Sequence, residues 1–507
     1  MKLHFSGHDC RYVIEQGLLS LFPEERPTYG TIDPEADRRW AEVSLRGDNA
    51  HCCAETRLGW DGKTVTETVE AALSGTDYER EGQRRRALGR SFFEAYRSLT
   101  GVTPPWGSLT GVRPGKLAAE RLRKGESLAD AQRFLEESYF VSPRRARLAA
   151  EAAEAGLKEE RSLEKRDIDL YLGIPFCPTR CAYCSFVSAS VEKSFALIEP
   201  YLAALTEEIR AGGKMLRDLG LNVHAFYMGG GTPTTLSAQQ MDRLLGELQD
   251  AFDLSRCREI TVEAGRPDTV TPEKLKVLRC RGVDRVSVNP QSMDDRVLQA
   301  IGRRHTAEEV RRCLGEVRDA GFPHVNMDLI AGLPADTAEG FRASLAECMA
   351  YAPDNLTVHT LSLKRGSTLL NGELAIPSAE EVAAMLDHAD PALRAAGYVP
   401  YYLYRQKYMS GSFENVGWCM PGSENLYNMD IMEELCSILS LGASGSTKMM
   451  GAPESRIRRC FNPKFPREYI SMPEKWQANQ RAFADFYRAW NGERKENFYG
   501  LLAEAHQ

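Results

Sequence analysis

The sequence lacks the features that would place the chain in a membrane, outside the cell or on nucleic acid. No apolar run in its 507 residues approaches the roughly 18 residues of a membrane span. The segment Met1–Gly7 has neither the apolar core nor the cleavage site of a secretory signal. Lys and Arg number 64 against 71 Asp and Glu, a formal net charge of −7, which does not indicate a general nucleic-acid binder. We expect a cytoplasmic protein without membrane or nucleic-acid partners.

A disulfide framework is not expected either, although the chain has 13 cysteines. Their number is odd, and the hydrophobic content of 43% is that of a globular chain with a sizeable core. Ten of them are scattered, and we expect these to be ordinary thiols: Cys10, Cys52, Cys53, Cys257, Cys280, Cys313, Cys348, Cys419, Cys436 and Cys460. The other three lie close together and indicate a metal or reactive site.

The first part of the chain has the pattern of an α/β unit followed by helices. The predicted elements are a strand Lys2–Ser6, a helix Cys10–Leu21, hairpin arms Ala41–Arg46 and His51–Leu58, a helical region from Thr64 to about Lys158 and a charged linker Glu159–Arg166.

Short apolar runs then alternate with long amphipathic segments. The predicted strands are Ile168–Ile174, Val223–Met228, Glu259–Ala264, Arg285–Val288, His324–Ile330 and Leu356–Leu363. The predicted helices are Phe195–Leu219, Ala238–Phe252, Pro272–Arg281, Ala307–Ala320, Ala338–Tyr351 and Glu380–Ala396. Repeated strand-helix units imply a parallel sheet, so the pattern predicts an α/β fold with a partial (β/α)6 TIM-type barrel. Catalytic groups should follow the carboxyl ends of its strands.

A smaller region follows the barrel. It contains a predicted strand Tyr398–Tyr404 and helices near Ile431–Leu441 and Pro473–Trp490. We therefore divide the chain into an N-terminal α/β and helical region over 1–160, a barrel over 166–370 and a C-terminal region over 371–507.

The clustered cysteines, Cys177, Cys181 and Cys184, directly follow the first predicted barrel strand. A zinc knuckle needs four ligands, and no matching Cys or His pair follows nearby. A 4Fe-4S cluster held by three cysteines leaves one iron without a protein ligand, and that iron can bind a small chelating molecule. The spacing favours such a cluster at the barrel mouth.

Other polar or flexible residues also fall at the predicted strand ends. Gly229–Thr232 ends the second strand, where glycine amides can approach a ligand without side-chain clash. Glu263 ends the third strand, Gln291 follows the fourth and Asp328 lies within the fifth. Buried carboxylates are costly unless paired, which favours ligand contacts, with a salt bridge inside the barrel as the alternative.

The pattern Cys-x3-Cys-x2-Cys after a strand resembles the radical S-adenosylmethionine superfamily. Further strings narrow the resemblance to the oxygen-independent coproporphyrinogen III oxidase family, and to its HemZ-like coproporphyrinogen dehydrogenase branch. The strings that carry it are Tyr171–Cys177, Gly229–Thr234, Thr261–Asp268, Asp328–Pro334, Val358–Arg365, Tyr401–Lys407 and Glu414–Gly417.

The resemblance implies a 4Fe-4S cluster on Cys177, Cys181 and Cys184, and S-adenosylmethionine as second cofactor. The cofactor-binding residues it implies are Tyr171, Tyr183, Gly230, Gly231, Thr232, Glu263, Gln291, Arg303 and Asp328. The implied reaction converts coproporphyrinogen III to protoporphyrinogen IX, through a 5′-deoxyadenosyl radical that turns two propionates into vinyls. Arg113, Arg303 and Lys364 are candidates for holding propionates. The implied partners are the tetrapyrrole and a low-potential electron donor such as a flavodoxin or ferredoxin, and we expect a monomer.

One position departs from the pattern of the family's decarboxylases. Those enzymes carry a further cysteine two residues after the third ligand, where this chain has Phe186. This departure resembles the haem-chaperone branch, so a haem-binding chaperone and another porphyrin-directed radical enzyme stay as alternatives. The candidate axial ligands of a chaperone are His4, His51, His224, His305, His324 and His359.

Overall fold

The computed structural model describes residues 1–186, 189–363, 367, 369, 374–406, 413–451 and 457–489. These residues form two compact units. The first comprises residues 1–154 with Arg405 and Gln406, and the second comprises residues 155–404 with the described residues after position 412. No helix among the described residues is both long and apolar enough to cross a membrane.

The first unit contains a five-stranded sheet in the order β2-β1-β3-β4-β5. Its elements are β1 (Lys2–Ser6), α1 (Arg11–Leu21), β2 (Thr28–Tyr29), β3 (Arg39–Gly47), β4 (His51–Trp60), β5 (Lys63–Ala72), α2 (Asp77–Thr100), α3 (Gly115–Arg123), α4 (Leu128–Tyr139) and α5 (Pro143–Ser162), whose last turns belong to the second unit. Leu3, Val43 and Leu58 of the sheet pack with Ile14 and Phe92 of the helices in one core.

Two predictions for this part of the chain were wrong. The predicted helical region begins with a strand, β5, in which exposed residues alternate with partly buried Val65, Glu67 and Val69, the period of two that a strand requires. The predicted linker Glu159–Arg166 starts inside α5, because the helix continues to Ser162. The strand β1, the helix α1 and the hairpin were predicted correctly.

The second unit is built on an eleven-stranded sheet. Its strands and the small β7-β8 pair are β6 (Asp167–Ile174), β7 (Phe176–Cys177), β8 (Ala189–Ser190), β9 (Asn222–Gly230), β10 (Glu259–Glu263), β11 (Arg285–Ser287), β12 (His324–Ala331), β13 (Asn355–Thr360), β14 (Val399–Arg405), β15 (Glu414–Cys419), β16 (Ser437–Leu441), β17 (Ser446–Met449) and β18 (Arg458–Phe461).

The helices of this unit flank the sheet strands along the chain. They are α6 (Val191–Ser194), α7 (Ile198–Leu219), α8 (Ala238–Ala251), α9 (Pro272–Cys280), α10 (Asp295–Ala300), α11 (Ala307–Asp319), α12 (Ala338–Ala350), α13 (Ala379–Ala395), α14 (Leu426–Glu433), α15 (Pro466–Ser471) and α16 (Pro473–Ala489). Ser237, Thr306 and Ser378 cap α8, α11 and α13 with reciprocal capping boxes, which fixes where these helices begin.

The sheet order is β14-β15-β13-β12-β11-β10-β9-β6-β16-β17-β18. The run from β6 through β9, β10, β11 and β12 to β13 is parallel throughout. These are the six strands predicted for the barrel, and the α/β class is confirmed. In the part of the chain that the structure describes, β14 and β18 end the order, so the sheet does not close. Parallel strands are covered on both faces, which explains why β6 reads as an almost continuous buried run.

The predicted helix Ile431–Leu441 was wrong. Its first part belongs to α14, which starts at Leu426, and its second part is the strand β16, which pairs in parallel with β6. All residues of β16 are buried, and such a short apolar run has no period that separates a helix from a strand. The strands after residue 371 join the same sheet as the barrel strands, and the predicted domain boundaries themselves stay a prediction.

Candidate functional site

The three clustered cysteines lie on one loop at the carboxyl end of β6. Cys177 ends β7, and Cys184 donates its backbone N–H to the carbonyl oxygen of Cys181 at 3.1 Å. Cys181 is buried, whereas Cys177 and Cys184 are half-buried. Burial raises the pKa of the Cys184 thiol. Phe186, which follows them, is 70% exposed. The loop therefore presents its thiols at the position where the fold class expects chemistry.

The cysteine loop is held against the rest of the second unit by hydrogen bonds. The backbone N–H of Ala182 donates to the carbonyl oxygen of Ile301 at 2.9 Å, and the hydroxyl of Ser367 donates to the carbonyl oxygen of Ala182 at 2.8 Å. The hydroxyl of Thr179 donates to the carbonyl oxygen of Gly302. The loop is therefore fixed by contacts with residues distant in sequence.

A buried arginine, Arg266, lies beside the cysteines. Its Nη1 donates to Cys181 Sγ at 3.6 Å, and its Nη2 donates to the hydroxyl of Thr179 at 3.2 Å. Its Nε and Nη2 also donate to the two carboxylate oxygens of Asp268, each at 3.0 Å. Arg266 therefore joins the cysteine loop to the end of β10. Arg266 is not among the residues predicted from the sequence, although it lies in the string Thr261–Asp268.

Arg303, predicted to bind cofactor or substrate, is buried and holds the cysteine loop from another side. Its Nη2 donates to the hydroxyl of Tyr183 at 3.1 Å, and its Nη1 donates to the carbonyl oxygen of Asn289 at 2.5 Å. The structure thus brings two predicted residues, Tyr183 and Arg303, into direct contact.

The Gly229–Thr232 turn packs tightly on the cysteine loop. A Cβ on Gly231 would lie 2.5 Å from the carbonyl oxygen of Phe176 and 2.9 Å from Cys177 Sγ. The backbone N–H of Gly231 donates to the carbonyl oxygen of Ile174, and that of Thr232 to the carbonyl oxygen of Phe176. These two amides are engaged within the protein, and the assignment of Gly230, Gly231 and Thr232 to a ligand stays a prediction. A glycine is required at position 231 because the two segments approach so closely.

Aromatic rings and carboxylates line the sheet beyond this turn. Tyr171, Tyr227 and Tyr427 stack, with centroids of Tyr227 and Tyr427 4.6 Å apart and those of Tyr171 and Tyr227 6.3 Å apart. The hydroxyl of Tyr227 donates to Glu263 Oε1 at 2.5 Å. Burial raises the pKa of Glu263 to about 7, and the charge of Asp328 adds to the shift. Glu263 is thus close to the midpoint of its titration at neutral pH.

Asp328 is the second predicted carboxylate of this region. Its Oδ1 accepts a hydrogen bond from Asn326 Nδ2 at 3.0 Å, and its Oδ2 lies 3.7 Å from His359 Nε2. Burial opposes its ionisation, but the neighbouring His359 and the hydrogen bond from Asn326 outweigh burial and lower the pKa of Asp328. At neutral pH, Asp328 is therefore ionised, whereas Glu263 is partly protonated.

Gln291 has a left-handed backbone conformation, with φ of 69°, that is uncommon for a residue with a side chain. Its N–H donates to the carbonyl oxygen of Asp328 at 2.9 Å, and its carbonyl oxygen accepts from the N–H of Ile330 at 3.1 Å. Its buried Oε1 accepts no hydrogen bond from the described residues, and neither does Asn289 Oδ1. Such buried acceptors suit a ligand that carries hydroxyl or amino groups.

Tyr227, Tyr427 and Arg266 were missed from the sequence, and His359, predicted only as a haem ligand, was not placed beside Asp328. The pairs they form join residues far apart along the chain, and no local pattern marks them. Of the proposed propionate partners, Arg113 belongs to the first unit and Lys364 lies outside the described residues. Of the candidate haem ligands, His224 and His305 are buried, and His324 lies 3.3 Å from Asp354.

Comparisons with known proteins agree with this geometry. Residues 171–348 match the model of the radical SAM superfamily. The chain is 40% identical over 477 residues to the oxygen-independent coproporphyrinogen-III oxidase-like protein HemZ of Bacillus subtilis, a match that covers 92% of this chain and 95% of that protein. It is 32% identical over 266 residues to the haem chaperone HemW of Mycobacterium tuberculosis, covering 51% of this chain and 64% of the chaperone.

Among solved structures, the coproporphyrinogen III oxidase HemN of Escherichia coli, described as a radical SAM enzyme, shares the fold. Its TM-score is 0.51 at 23% identity, over 64% of this chain and 72% of that one. Membership of the superfamily implies a 4Fe-4S cluster and S-adenosylmethionine, so the expected cofactors are confirmed. The chain belongs to the oxygen-independent coproporphyrinogen-III oxidase-like family of radical SAM proteins.

Proposed function

We propose that the protein converts coproporphyrinogen III to protoporphyrinogen IX by oxidative decarboxylation. Each of two propionates loses a hydrogen atom from its β-carbon, its carboxyl group as carbon dioxide and one electron to an acceptor, which leaves a vinyl group. The observation that carries this proposal is the extent of the similarity to the oxidase-like relative, 92% of the chain against 51% for the chaperone. The match thus includes the first unit as well as the barrel.

We assign the cluster to Cys177, Cys181 and Cys184. Three thiols on one loop, two of them half-buried, fit a cluster that keeps one iron open to an exchangeable ligand. Arg266 and Thr232 each lie 3.6 Å from a cysteine sulfur, on Cys181 and Cys177 respectively. Such hydrogen bonds to sulfur tune the potential of a bound cluster.

S-adenosylmethionine is assigned to the residues around this loop. Gly230 and Gly231 let the ligand approach the backbone, and the unpaired Oε1 of Gln291 is placed to accept from an amino or hydroxyl group. The other assigned residues are Tyr171, Tyr183, Thr232, Glu263, Arg303 and Asp328. Arg303 acts through Tyr183, which it orients. When bound, the two cofactors together supply a 5′-deoxyadenosyl radical that removes a hydrogen atom from the substrate.

The residues of this chain bind, orient and shield the reactants. The tyrosine stack of Tyr171, Tyr227 and Tyr427 is an apolar wall that excludes water from a radical. Glu263 accepts a hydrogen bond from the hydroxyl of Tyr227, which fixes the carboxylate against the stack. A low-potential donor such as a flavodoxin or ferredoxin is the proposed source of electrons.

A haem chaperone is the second candidate. Phe186, 70% exposed, occupies the position of a cysteine in the decarboxylases, and the chaperone relatives are 32% identical to half of the chain. His359 is its candidate ligand because it is partly exposed beside Asp328. Another porphyrin-directed radical reaction would use the same cluster.

The deciding experiment is an anaerobic incubation of the reconstituted protein with dithionite, S-adenosylmethionine and coproporphyrinogen III, followed by chromatography. We expect 5′-deoxyadenosine together with mono-vinyl and di-vinyl products. 5′-Deoxyadenosine without a vinyl product would reject the decarboxylase. Stoichiometric haem binding that is lost in His359→Ala, and not in His324→Ala, would establish the chaperone instead.

A further inference from the structure

A second cluster of ionisable side chains lies at the amino ends of the parallel strands, away from the cysteine loop. Asp169 comes from the start of β6, His224 from the start of β9, Asp430 from α14 and Cys436 from the residue before β16. Glu159, near the end of α5, places its Oε1 2.8 Å from His224 Nε2. All five side chains are buried. The proposed reaction uses none of them.

The polar atoms of this cluster converge. They form two groups, Glu159 with His224 and Asp430, and Asp169 with Asp430 and Cys436, and in each group the atoms lie within 4.8 Å of one another. Asp430 belongs to both, and its Oδ2 is 3.8 Å from His224 Nε2 and 4.0 Å from Cys436 Sγ. Ligands of one tetrahedral zinc ion are about 3.3–3.8 Å apart, given bond lengths of about 2.0–2.3 Å.

Asp169 shows that this cluster needs a cation or protons. Its side chain is 0% exposed, and neither carboxylate oxygen accepts a hydrogen bond from the described residues. Asp430 is also 0% exposed, and its Oδ1 has no donor among them. Two such carboxylates side by side are costly unless a positive group compensates them. With no cation bound, burial raises the pKa of both, so the pair would hold protons.

A β-bulge brings His224 into the cluster. The pairing of β6 with β9 runs from Ile168 opposite Val223 to Leu170 opposite Phe226, so β9 carries one more residue than β6 at the level of Asp169. Bulges turn a side chain away from the ordinary alternation of a strand and are treated as built features. This bulge occurs where the ligand atoms meet.

We propose that the cluster binds one divalent cation of the zinc class, held by Asp169, Asp430 and Cys436, whose ligand atoms lie within 4.8 Å of one another. Carboxylate oxygen and thiolate sulfur are among the ligand types that zinc takes in proteins. His224 lies beside this ligand set, because its Nε2 pairs with Glu159 Oε1 at 2.8 Å and lies 3.8 Å from Asp430 Oδ2. All three side chains are buried, so the site is closed to solvent and its role is structural.

The site would fix the position of α14. This helix carries Asp430 and, three residues earlier, Tyr427, so the two side chains lie on the same face of the helix. Tyr427 stacks on Tyr227 and Tyr171. A metal at Asp430 would therefore hold the tyrosine stack in register with the barrel strands.

The test measures zinc by elemental analysis in the full-length protein, reconstituted with its iron-sulfur cluster and washed with chelator. We expect about one zinc ion per chain in the wild type, and less than about one tenth in an Asp169→Asn, Asp430→Asn double variant. Removal of the zinc should lower the melting temperature by about 5–10 °C. The matched control is Glu208→Gln, an equally buried carboxylate satisfied by donors from Tyr469, Asn462 and Gly442, which should keep its zinc.

A triple variant of the cluster cysteines, Cys177→Ala, Cys181→Ala and Cys184→Ala, should retain the zinc. In this background cobalt should give a thiolate charge-transfer band that Cys436→Ser abolishes. If the wild type holds less than about one tenth of a zinc ion and a chelator leaves its melting temperature unchanged, the two aspartates share a proton and the proposal is wrong. Zinc that is lost with the cluster cysteines would also reject it. The zinc content and melting temperature of the wild type already test whether the site binds zinc. The proposal therefore stays testable even if a variant does not fold.

Discussion

The two ends of the parallel sheet of the second unit place similar chemical groups in opposite environments. At the carboxyl end, Cys177 and Cys184 are half-buried on a loop, beside a residue, Phe186, that is 70% exposed. At the amino end, Asp169 and Asp430 are 0% exposed and enclosed by strands and a helix. An open end lets a ligand exchange and react, whereas a closed end suits a permanent ligand.

The largest effect should follow from removing a cluster ligand. Cys181→Ala is expected to abolish the iron-sulfur absorbance and all cleavage of S-adenosylmethionine, because a cluster held by two thiols is not retained. Cys280→Ala, at the exposed end of α9, should change neither. The iron content and the yield of 5′-deoxyadenosine are measured for both variants. Equal iron in the two would overturn the ligand assignment and, with it, the contrast between the two ends.

The close approach of the glycine turn makes Gly231→Ala the next largest perturbation. Its Cβ would meet the carbonyl oxygen of Phe176 at 2.5 Å and Cys177 Sγ at 2.9 Å, so the cysteine loop must move. We expect the rate of S-adenosylmethionine cleavage to fall by about 100-fold, and stability to fall by about 1–3 kcal/mol.

Gly315→Ala is the control for this substitution. Gly315 lies in α11 with nothing within 4 Å of its Cβ position, so alanine there should leave the rate unchanged and raise stability by about 0.5–1 kcal/mol. Single-turnover kinetics and thermal melts would measure both. A Gly231→Ala variant with the wild-type rate would show that the turn does not position the cysteines.

The sequence predicts the frame that separates these two ends. It placed the first residue of each of the six parallel strands within one residue of its observed position, because strands buried on both faces stand out as apolar runs. The strand β16 was missed because all residues of Ser437–Leu441 are buried and show no alternation of apolar and polar side chains. The strand β5 was missed because its alternating residues were included in the predicted helical region.

The sites were predicted unequally for a related reason. The cysteine loop is local in sequence, so its spacing alone revealed it. The closed cluster unites Asp169, His224 and Asp430 from three distant elements, and only the fold brings them together. His224 was considered a haem ligand, and its neighbours at the amino end carried no signal. Arg266 was missed because a contact with sulfur leaves no pattern along the chain.

Arg266→Lys should have a smaller effect at the open end. Lysine keeps the charge but loses the bidentate pair with Asp268 and one donor to Cys181. We expect turnover to fall by about 10-fold and the cluster potential to become lower. Arg296→Lys is the control, since Arg296 makes a similar pair with Asp294 while 81% exposed. Redox titration and initial rates test this, and equal rates for the two variants would deny Arg266 a role at the cluster.

The last expected effect is on stability and concerns Glu263, the ionisable group of the open end whose pKa burial raises from 4.5 to about 7. The folded chain keeps a proton that the unfolded chain releases between these values, so this carboxyl destabilises the fold increasingly as pH rises through that window. Glu263→Gln should therefore gain about 2 kcal/mol over the wild type between about pH 5.5 and about pH 8. The exposed Glu24→Gln should show no such trend, and thermal melts across this range measure both. If the stability difference between Glu263→Gln and the wild type does not change with pH, Glu263 is ionised over the whole range. That is the behaviour of a carboxyl group exposed to water, unlike the fully buried Asp169.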